Sequence, residues 1–329
     1  MKRSIDPSAV LAEALGAAPP LGRMLFAGEG AAAAALAVPR STLWRREERA
    51  WPPDGPFDAA ALRMSRSREA FMMALHALAA NMREGAPLYV YGANDEGIRS
   101  APKAFAPFFA DAETVLAKSH ARVWRARRTA SHEGLCGMLA DWRVVTQLSI
   151  GARGYDWVSY PGVFAHGRVD AGTALLISKL PAVTPRARAL DFGAGSGLIA
   201  RALVDSGATV DMLEADAVAL EGARENVPEA SAILGTDFSA LGETRYDLIA
   251  SNPPIHAGRA RNLSMVSRLV AEAPRCLASS GTLLLVTERT VPVPRLAKDH
   301  FATIELIAER RGHRVWRLAK PLPKPERTS

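Results

Sequence analysis

Leu190-Asp191-Phe192-Gly193-Ala194-Gly195-Ser196-Gly197-Leu198 decides how the second half of this chain reads. Residues 187–192 have the length and apolar content of a buried strand, and helical spacing starts at about Leu198. A glycine loop carries meaning when it joins a strand to a helix. There glycine lets the backbone approach a ligand closely and take left-handed dihedrals. A dinucleotide fingerprint needs Gly or Ala three positions after its second glycine. Leu198 stands at that position, and Asp191 sits two before the first glycine. An acid there opposes a pyrophosphate but suits a cation. The loop therefore turns from NAD towards S-adenosylmethionine, whose ammonium and sulfonium are positive. The plain alternative is a structural turn.

Downstream the pattern alternates. Strands are expected at 208–214, 232–235, 246–251 and 282–287, with helices over 217–226 and 262–278. Residues 303–308 and 314–318 pair around Arg311-Gly312 as a hairpin. This is the pattern of an α/β fold: a doubly wound, mostly parallel sheet with a C-terminal antiparallel hairpin. Glu214, at the end of the second strand, is placed to accept hydrogen bonds from ribose hydroxyls; it also reads as an acid favoured at a helix N-terminus. Asp237, after the third strand, is either an acceptor for an adenine amine or an ordinary loop acid.

The fourth strand ends in Ser251-Asn252-Pro253-Pro254-Ile255-His256. Proline biases its predecessor to extended backbone, so Asn252 and Pro253 are held straight. An exocyclic amine conjugated to a ring is a poor nucleophile. Two fixed acceptors, the Asn252 amide and the Pro253 carbonyl, would hold such an amine in line with a methyl donor. Positioning and electrostatics then carry the step without a strong base. The alternative is a rigid turn leaving a strand. His256 reads as a base or as a residue that positions the loop.

The first half is less regular. A short strand is expected at 23–27, a helix over 67–82 and a buried strand at 87–91 running into Gly92 and Gly97. The boundary between halves is expected near 151–160, where Gly151, Gly154 and Pro161-Gly162 break the pattern. The chain has 329 residues, 48% hydrophobic and 23% charged, which fits about two globular domains. Cys136 and Cys276 form neither a disulfide framework nor a zinc motif, and no metal ligand set is expected. The apolar run 31–38 is too short to span a bilayer, so a cytoplasmic protein without a membrane partner is expected. The net charge of +7 divides as +4 over residues 1–150 and +3 over 151–329, so no basic tail dominates.

The second half resembles the bacterial ribosomal RNA guanine-N2 methyltransferases, class I S-adenosylmethionine-dependent enzymes: the C-type methyltransferases of small-subunit 16S rRNA and their large-subunit relatives. The resemblance rests on Tyr160-Pro161-Gly162-Val163-Phe164 with Val169-Asp170-Ala171-Gly172-Thr173, on 191–197, and on Asn252-Pro253-Pro254-Ile255-His256-Ala257-Gly258. It extends more weakly through Leu25-Phe26-Ala27-Gly28 and 92–100. It implies two Rossmann-like methyltransferase domains. Residues 1–157 would be a degenerate copy that positions RNA, with 92–97 as its decayed glycine turn. Residues 158–319 would be catalytic; separately, 320–329, rich in proline and charge, are expected to form a disordered tail. The resemblance implies that Asp191, Gly193, Gly195, Gly197, Glu214 and Asp237 hold the cofactor, with Phe164 and Asp170 beside it. Asn252, Pro253, Pro254, Ile255 and His256 would form the catalytic loop. In one respect the chain departs from the family. The residue after the two prolines is usually aromatic and stacks on the target base; here it is Ile255.

The implied partner is ribosomal RNA or a ribosomal subunit, with no obligate protein partner. Three basic clusters could contact phosphates: Arg45, Arg46 and Arg49; Arg122, Arg125, Arg127 and Arg128 around Trp124; and Arg310, Arg311, Arg314 and Arg317. Methylation of another amine, adenine N6 or a protein glutamine, is the enzymatic alternative. A non-catalytic RNA-binding factor is the other.

Overall fold

The computed structural model describes residues 6–322, apart from 18, 29, 37, 183, 185 and 254–258. Within it the chain divides into two compact units at Arg143/Val144.

The first unit contains α1 (Pro7–Ala17), β1 (Met24–Ala27), α2 (Ala31–Ala35), β2 (Ser41–Trp44), β3 (Ala59–Arg63), α3 (Arg68–Asn81), β4 (Pro87–Ala93), β5 (Phe109–Lys118) and β6 (Ala121–Arg128). Its sheet has the order β2-β1-β3-β4-β6-β5. The first four strands are parallel, and β6 runs antiparallel to both neighbours. Ser67 caps α3 by accepting the Ala70 N–H.

The second unit opens with the hairpin β7 (Val144–Ile150) and β8 (Arg153–Ser159). There follow α4 (Ala171–Ile177), β9 (Arg188–Phe192), α5 (Leu198–Asp205), β10 (Thr209–Glu214), α6 (Ala217–Asn226), β11 (Ser231–Leu234) and β12 (Tyr246–Ser251). The unit ends with α7 (Arg259–Glu272), β13 (Leu277–Glu288), α8 (Val293–Ala297), β14 (Phe301–Arg310) and β15 (His313–Pro321). The sheet order is β11-β10-β9-β12-β13-β15-β14, with only β15 antiparallel to its neighbours.

Both faces of this sheet are covered, which is why its strands read as unbroken apolar runs. Leu190, Leu213, Ile249, Leu283 and Leu285 point to one face and pack with Val266, Leu269 and Phe301. Ala189, Met212, Leu248, Ala250 and Leu284 point to the other and meet Leu198, Ile199, Leu220 and Trp157. Chain order reverses between β9 and β12. The loops that leave their C-terminal ends therefore flank the crevice where such sheets bind ligands.

Four expectations differ from the structure. The helix expected over 262–278 ends at Glu272, because Pro274 cannot continue it, and β13 begins at Leu277. The tail expected from 320 opens as strand, since β15 runs to Pro321, opposite Phe301; residues 323–329 lie outside the described residues. The turn at 92–97 is not the counterpart of the glycine loop. It leaves β4, which lies beside the antiparallel hairpin as β13 does in the second unit. The reversal in the first sheet lies between β1 and β3, so the corresponding loop is the one holding Gly28 and Gly30. The unit boundary itself precedes the glycine-rich stretch at 151–162, because β8 packs on α6.

Candidate active site

Two loops at the C-terminal edge of the second sheet form the site. The first leaves β9. Gly193, Gly195 and Gly197 all have left-handed φ, 74°, 56° and 92°. Their roles divide by what surrounds them. A Cβ on Gly193 or Gly195 would meet nothing within 4 Å, so the loop presents an open cradle there. A Cβ on Gly197 would lie 3.0 Å from Val227 Cγ2 and 3.4 Å from Met212 Sδ. Gly197 is therefore needed for packing at the start of α5, and the other two leave room for a ligand.

Several bonds hold the cradle in place. Gly193 and Ala194 donate to the Leu213 carbonyl at 2.8 and 3.1 Å. Glu214 accepts the Gly195 N–H at 2.7 Å with one carboxylate oxygen and the Asp216 N–H at 2.9 Å with the other. Burial raises the Glu214 carboxyl above its ordinary range, opposed by these N–H donors. Each oxygen keeps a lone pair, so the ribose role expected of Glu214 is compatible with its role in tying the loop.

Asp191 is fully buried. Its Oδ2 accepts the Ala200 N–H at 2.9 Å, and its Oδ1 has no partner. Burial pushes this carboxyl up to about 7, with the Glu214 charge adding to the rise. A buried carboxyl with one unpartnered oxygen, two residues before the open glycine loop, is a charge that a nearby cation would stabilise. These residues fit S-adenosylmethionine.

Asp237 is otherwise occupied. It accepts from the Ser239 N–H at 2.9 Å and from the Ser239 hydroxyl, and pairs with Arg268. Those partners hold its carboxyl down at about 2. Phe164 lies between β8 and α4 with 39% of its surface exposed.

The second loop leaves β12. Ser251 donates its hydroxyl to the Phe192 carbonyl at 2.7 Å, joining the ends of β12 and β9. The next residue, Asn252, is half-buried and donates from Nδ2 to Asp170 Oδ2 at 3.0 Å and to Thr173 Oγ1 at 2.8 Å. Asp170 thus meets the loop after β12 and caps α4. Pro253 is buried, while Pro254, Ile255 and His256 lie outside the described residues.

Two supports of the glycine loop were not legible in the sequence. Trp157 Nε1 donates to Ser196 Oγ at 3.0 Å. Asn226 donates to the Ser196 and Val158 carbonyls at 2.9 and 2.8 Å and accepts the Val158 N–H at 2.8 Å. Asn226 follows the strands by a whole helix, and no local pattern marks it.

The basic clusters are largely neutralised. Arg45 pairs with Glu48, Arg125 with Glu113, Arg314 with Glu309 and Arg317 with Glu305. Arg128 is buried and donates to the Ala79, Thr129 and Ser131 carbonyls. Arg122 stacks on Trp124 at 5.1 Å. Arg310 and Arg311 line a cavity of about 190 Å³ against Ala171, Ala174, Leu175 and Ser178 of α4 and its end. No helix among the described residues is long and apolar enough to cross a membrane.

The chain is similar to known proteins in sequence and in fold. Residues 154–317 match the methyltransferase small domain, and 34–135 match the methyltransferase small domain N-terminal. The ribosomal RNA small subunit methyltransferase C of Ectopseudomonas mendocina is 35% identical over 276 residues, 80% of each chain. That of Stutzerimonas stutzeri is 32% identical over 277 residues, 82% of this chain and 81% of the relative. The solved structure of the T. thermophilus 16S rRNA N2 methyltransferase, in complex with AdoMet and guanosine, superposes with a TM-score of 0.81. It is 22% identical and covers 97% of this chain and 93% of its own, which establishes the shared two-unit fold.

Proposed function

This chain belongs to the ribosomal RNA small subunit methyltransferase C family, and from that premise we propose that it methylates the exocyclic N2 amine of a guanine in small-subunit ribosomal RNA. The observation that carries the reading is the pairing of two loops across one crevice: an open glycine cradle after β9 and Asn252-Pro253 after β12.

S-adenosylmethionine supplies the electrophilic methyl group. Gly193 and Gly195 give it room, Asp191 answers its positive charge, and Glu214 accepts from its ribose. Gly197 keeps the loop on the helix and Asp170 acts from behind Asn252, while Asp237 and Phe164 are assigned to the cofactor on the resemblance alone. The Asn252 Oδ1 and the Pro253 carbonyl accept the two N–H groups of the guanine amine. Holding both hydrogens aims the nitrogen lone pair at the methyl carbon; as the N–C bond forms the S–C bond breaks, leaving a neutral thioether, and the methylated amine gives up one proton to solvent. Positioning of this kind supplies much of the acceleration when nucleophile and electrophile are both pre-bound. Pro254, Ile255 and His256, which follow in the sequence, are assigned to the same catalytic loop on the resemblance alone. The first unit contributes to RNA placement, with Arg310 and Arg311 as further phosphate contacts, in a cytoplasmic setting.

The test is nucleoside mass spectrometry of small-subunit rRNA from a deletion strain, with the purified protein then added to that RNA. Loss of one N2-methylguanosine and its return on addition of protein and S-adenosylmethionine is expected. An unchanged methylguanosine content would overturn the reading, and gain of a methyl on adenine or protein would redirect it.

A further inference from the structure

We infer that Asp170 and Thr173 are positioning residues that fix the Asn252 amide with its oxygen towards the substrate, an inference that rests on the acceptor role proposed for Asn252. Asparagine can present either end of its amide, and only one end accepts. The donors of Asn252 are spent here: one N–H meets Asp170 Oδ2 at 3.0 Å and the other meets Thr173 Oγ1 at 2.8 Å. A carboxylate cannot donate, so Asp170 forbids the flipped amide, which would set oxygen against oxygen. Oδ1 is left for the substrate, and no donor among the described residues is bonded to it.

The two partners are themselves rigid. Asp170 Oδ2 also accepts the Gly172 and Thr173 N–H groups at 2.9 and 3.1 Å, as the N-cap of α4. Thr173 is 5% exposed, and α4 packs on β13 and β15. The cap has no slack: a Cβ on Gly172 would stand 3.0 Å from both Asp170 Oδ2 and His313 Cδ2. The charge on Asp170 adds a second effect. A carboxylate bonded to the N–H end of an amide polarises it and makes its oxygen a better acceptor. Thr173 sets the angle, and Asp170 sets the angle and the polarity. Sequence separation of about eighty residues hides this trio from any local pattern.

The experiment uses the full chain with three readouts. Thr173→Val removes one acceptor while keeping the shape. Asp170→Ser keeps a good N-cap that is too short to reach Asn252. Each is expected to lower kcat at least tenfold with S-adenosylmethionine affinity within twofold of wild type, and Thr173→Ser should restore kcat. The Asn252 side-chain amide protons, followed by NMR without any RNA, should lose at least tenfold of their exchange protection in both variants. That readout reports the orientation even if the enzyme acts on a different amine. Third, Asn252→Asp would set two carboxylates about 3 Å apart, and such a pair keeps a shared proton. Its kcat relative to wild type should rise as pH falls from 8 to 6, and Asp170→Asn in the same chain should flatten that rise. His313, the titratable group facing Gly172 from β15, is common to all these proteins and cancels in the ratio. Wild-type kcat in Thr173→Val and Asp170→Ser, or unchanged amide exchange, would overturn the inference.

Discussion

Replacing Asp191 by Asn should make the protein more stable at neutral pH and worse at holding its cofactor. Asp191 is fully buried, its Oδ1 has no partner, and burial raises its carboxyl from 3.8 to about 7. In the unfolded chain it ionises near 3.8; in the folded chain it resists ionising until about 7. The folded state is therefore favoured by this group at low pH, and that advantage is lost as pH rises through 7. At 1.36 kcal/mol per pKa unit, the stability lost between pH 5 and 7.5 is about 2.5 kcal/mol. Against a total of roughly 5–15 kcal/mol this is readily measured. Asn is isosteric, and its amide oxygen can keep the Ala200 N–H that Asp191 accepts at 2.9 Å. Urea unfolding of both proteins across pH 5–7.5 would give the difference directly. The margin of Asp191→Asn over wild type should grow with pH by about 2.5 kcal/mol, while other carboxyls cancel. Cofactor affinity should move oppositely, falling up to about tenfold per pH unit below 7 in wild type and staying flat in the variant. A stability margin that does not change with pH would refute the assignment of a buried, neutral-range carboxyl to this position.

Other perturbations separate the parts of the site. Asn252→Ala should lower methyl transfer by at least about a hundredfold, because the amine loses an acceptor, while calorimetry finds cofactor binding intact. Gly195→Ala should cost about 1 kcal/mol of stability from its left-handed backbone and weaken cofactor binding by intruding on the cradle. Gly197→Ala should unfold the unit more readily, since its new Cβ also strikes Val227; melting temperatures and cofactor titrations would distinguish the two. Ile255→Tyr should tighten RNA binding by about 1–3 kcal/mol if an aromatic there stacks on the target base, read as a lower KM for RNA.

The second unit was readable because its strands are covered on both faces and joined by helices of ordinary length. Asp191, Gly193, Gly195, Glu214 and Asn252 each sit at a strand end, where sequence position and place in the sheet coincide. Much of the first unit lacks that signal. Only Phe109 of the ten residues of β5 is buried, so this edge strand shows no apolar alternation. The strand β1 is four residues long, and the glycines after it are spaced like many turns. A strand running into a glycine turn at 92–97 therefore looks more like a decayed cofactor loop than Gly28 and Gly30 do. Only the strand order separates the two, and strand order is a property of long-range pairing. The same holds for Asp170, Thr173 and Asn252. Asn252 is marked by its own segment, but its contacts with Asp170 and Thr173 exist only once α4 is laid against the end of β12.

The two units carry the same plan to opposite ends, which shows that fold alone does not make a site. In the first unit Gly28 and Gly30 retain left-handed φ of 97° and 77°. The space before them is taken, however: a Cβ on Gly28 would lie 2.5 Å from the Arg63 Cβ, and one on Gly30 would lie 2.8 Å from Ser8 Oγ. Arg63 ends β3 as Ser251 ends β12, and it makes a two-pronged ion pair with Glu96 beside the Tyr91 ring. Both side chains are less than a fifth exposed. This pair fills the edge where the second unit keeps its crevice open. Arg63→Ala should not recover a ligand site, because it would strand the Glu96 charge in a half-buried place. Removing one partner of a fully buried pair costs about 3–5 kcal/mol; this pair is only partly buried and Glu96 keeps the Ala93 N–H, so a loss of about 1–2 kcal/mol is expected. Urea unfolding of Arg63→Ala against Arg63→Ala with Glu96→Gln gives the measurement. Removing the stranded charge should return most of the loss, and equal stabilities of the two variants would mean that Arg63 acts by its volume alone.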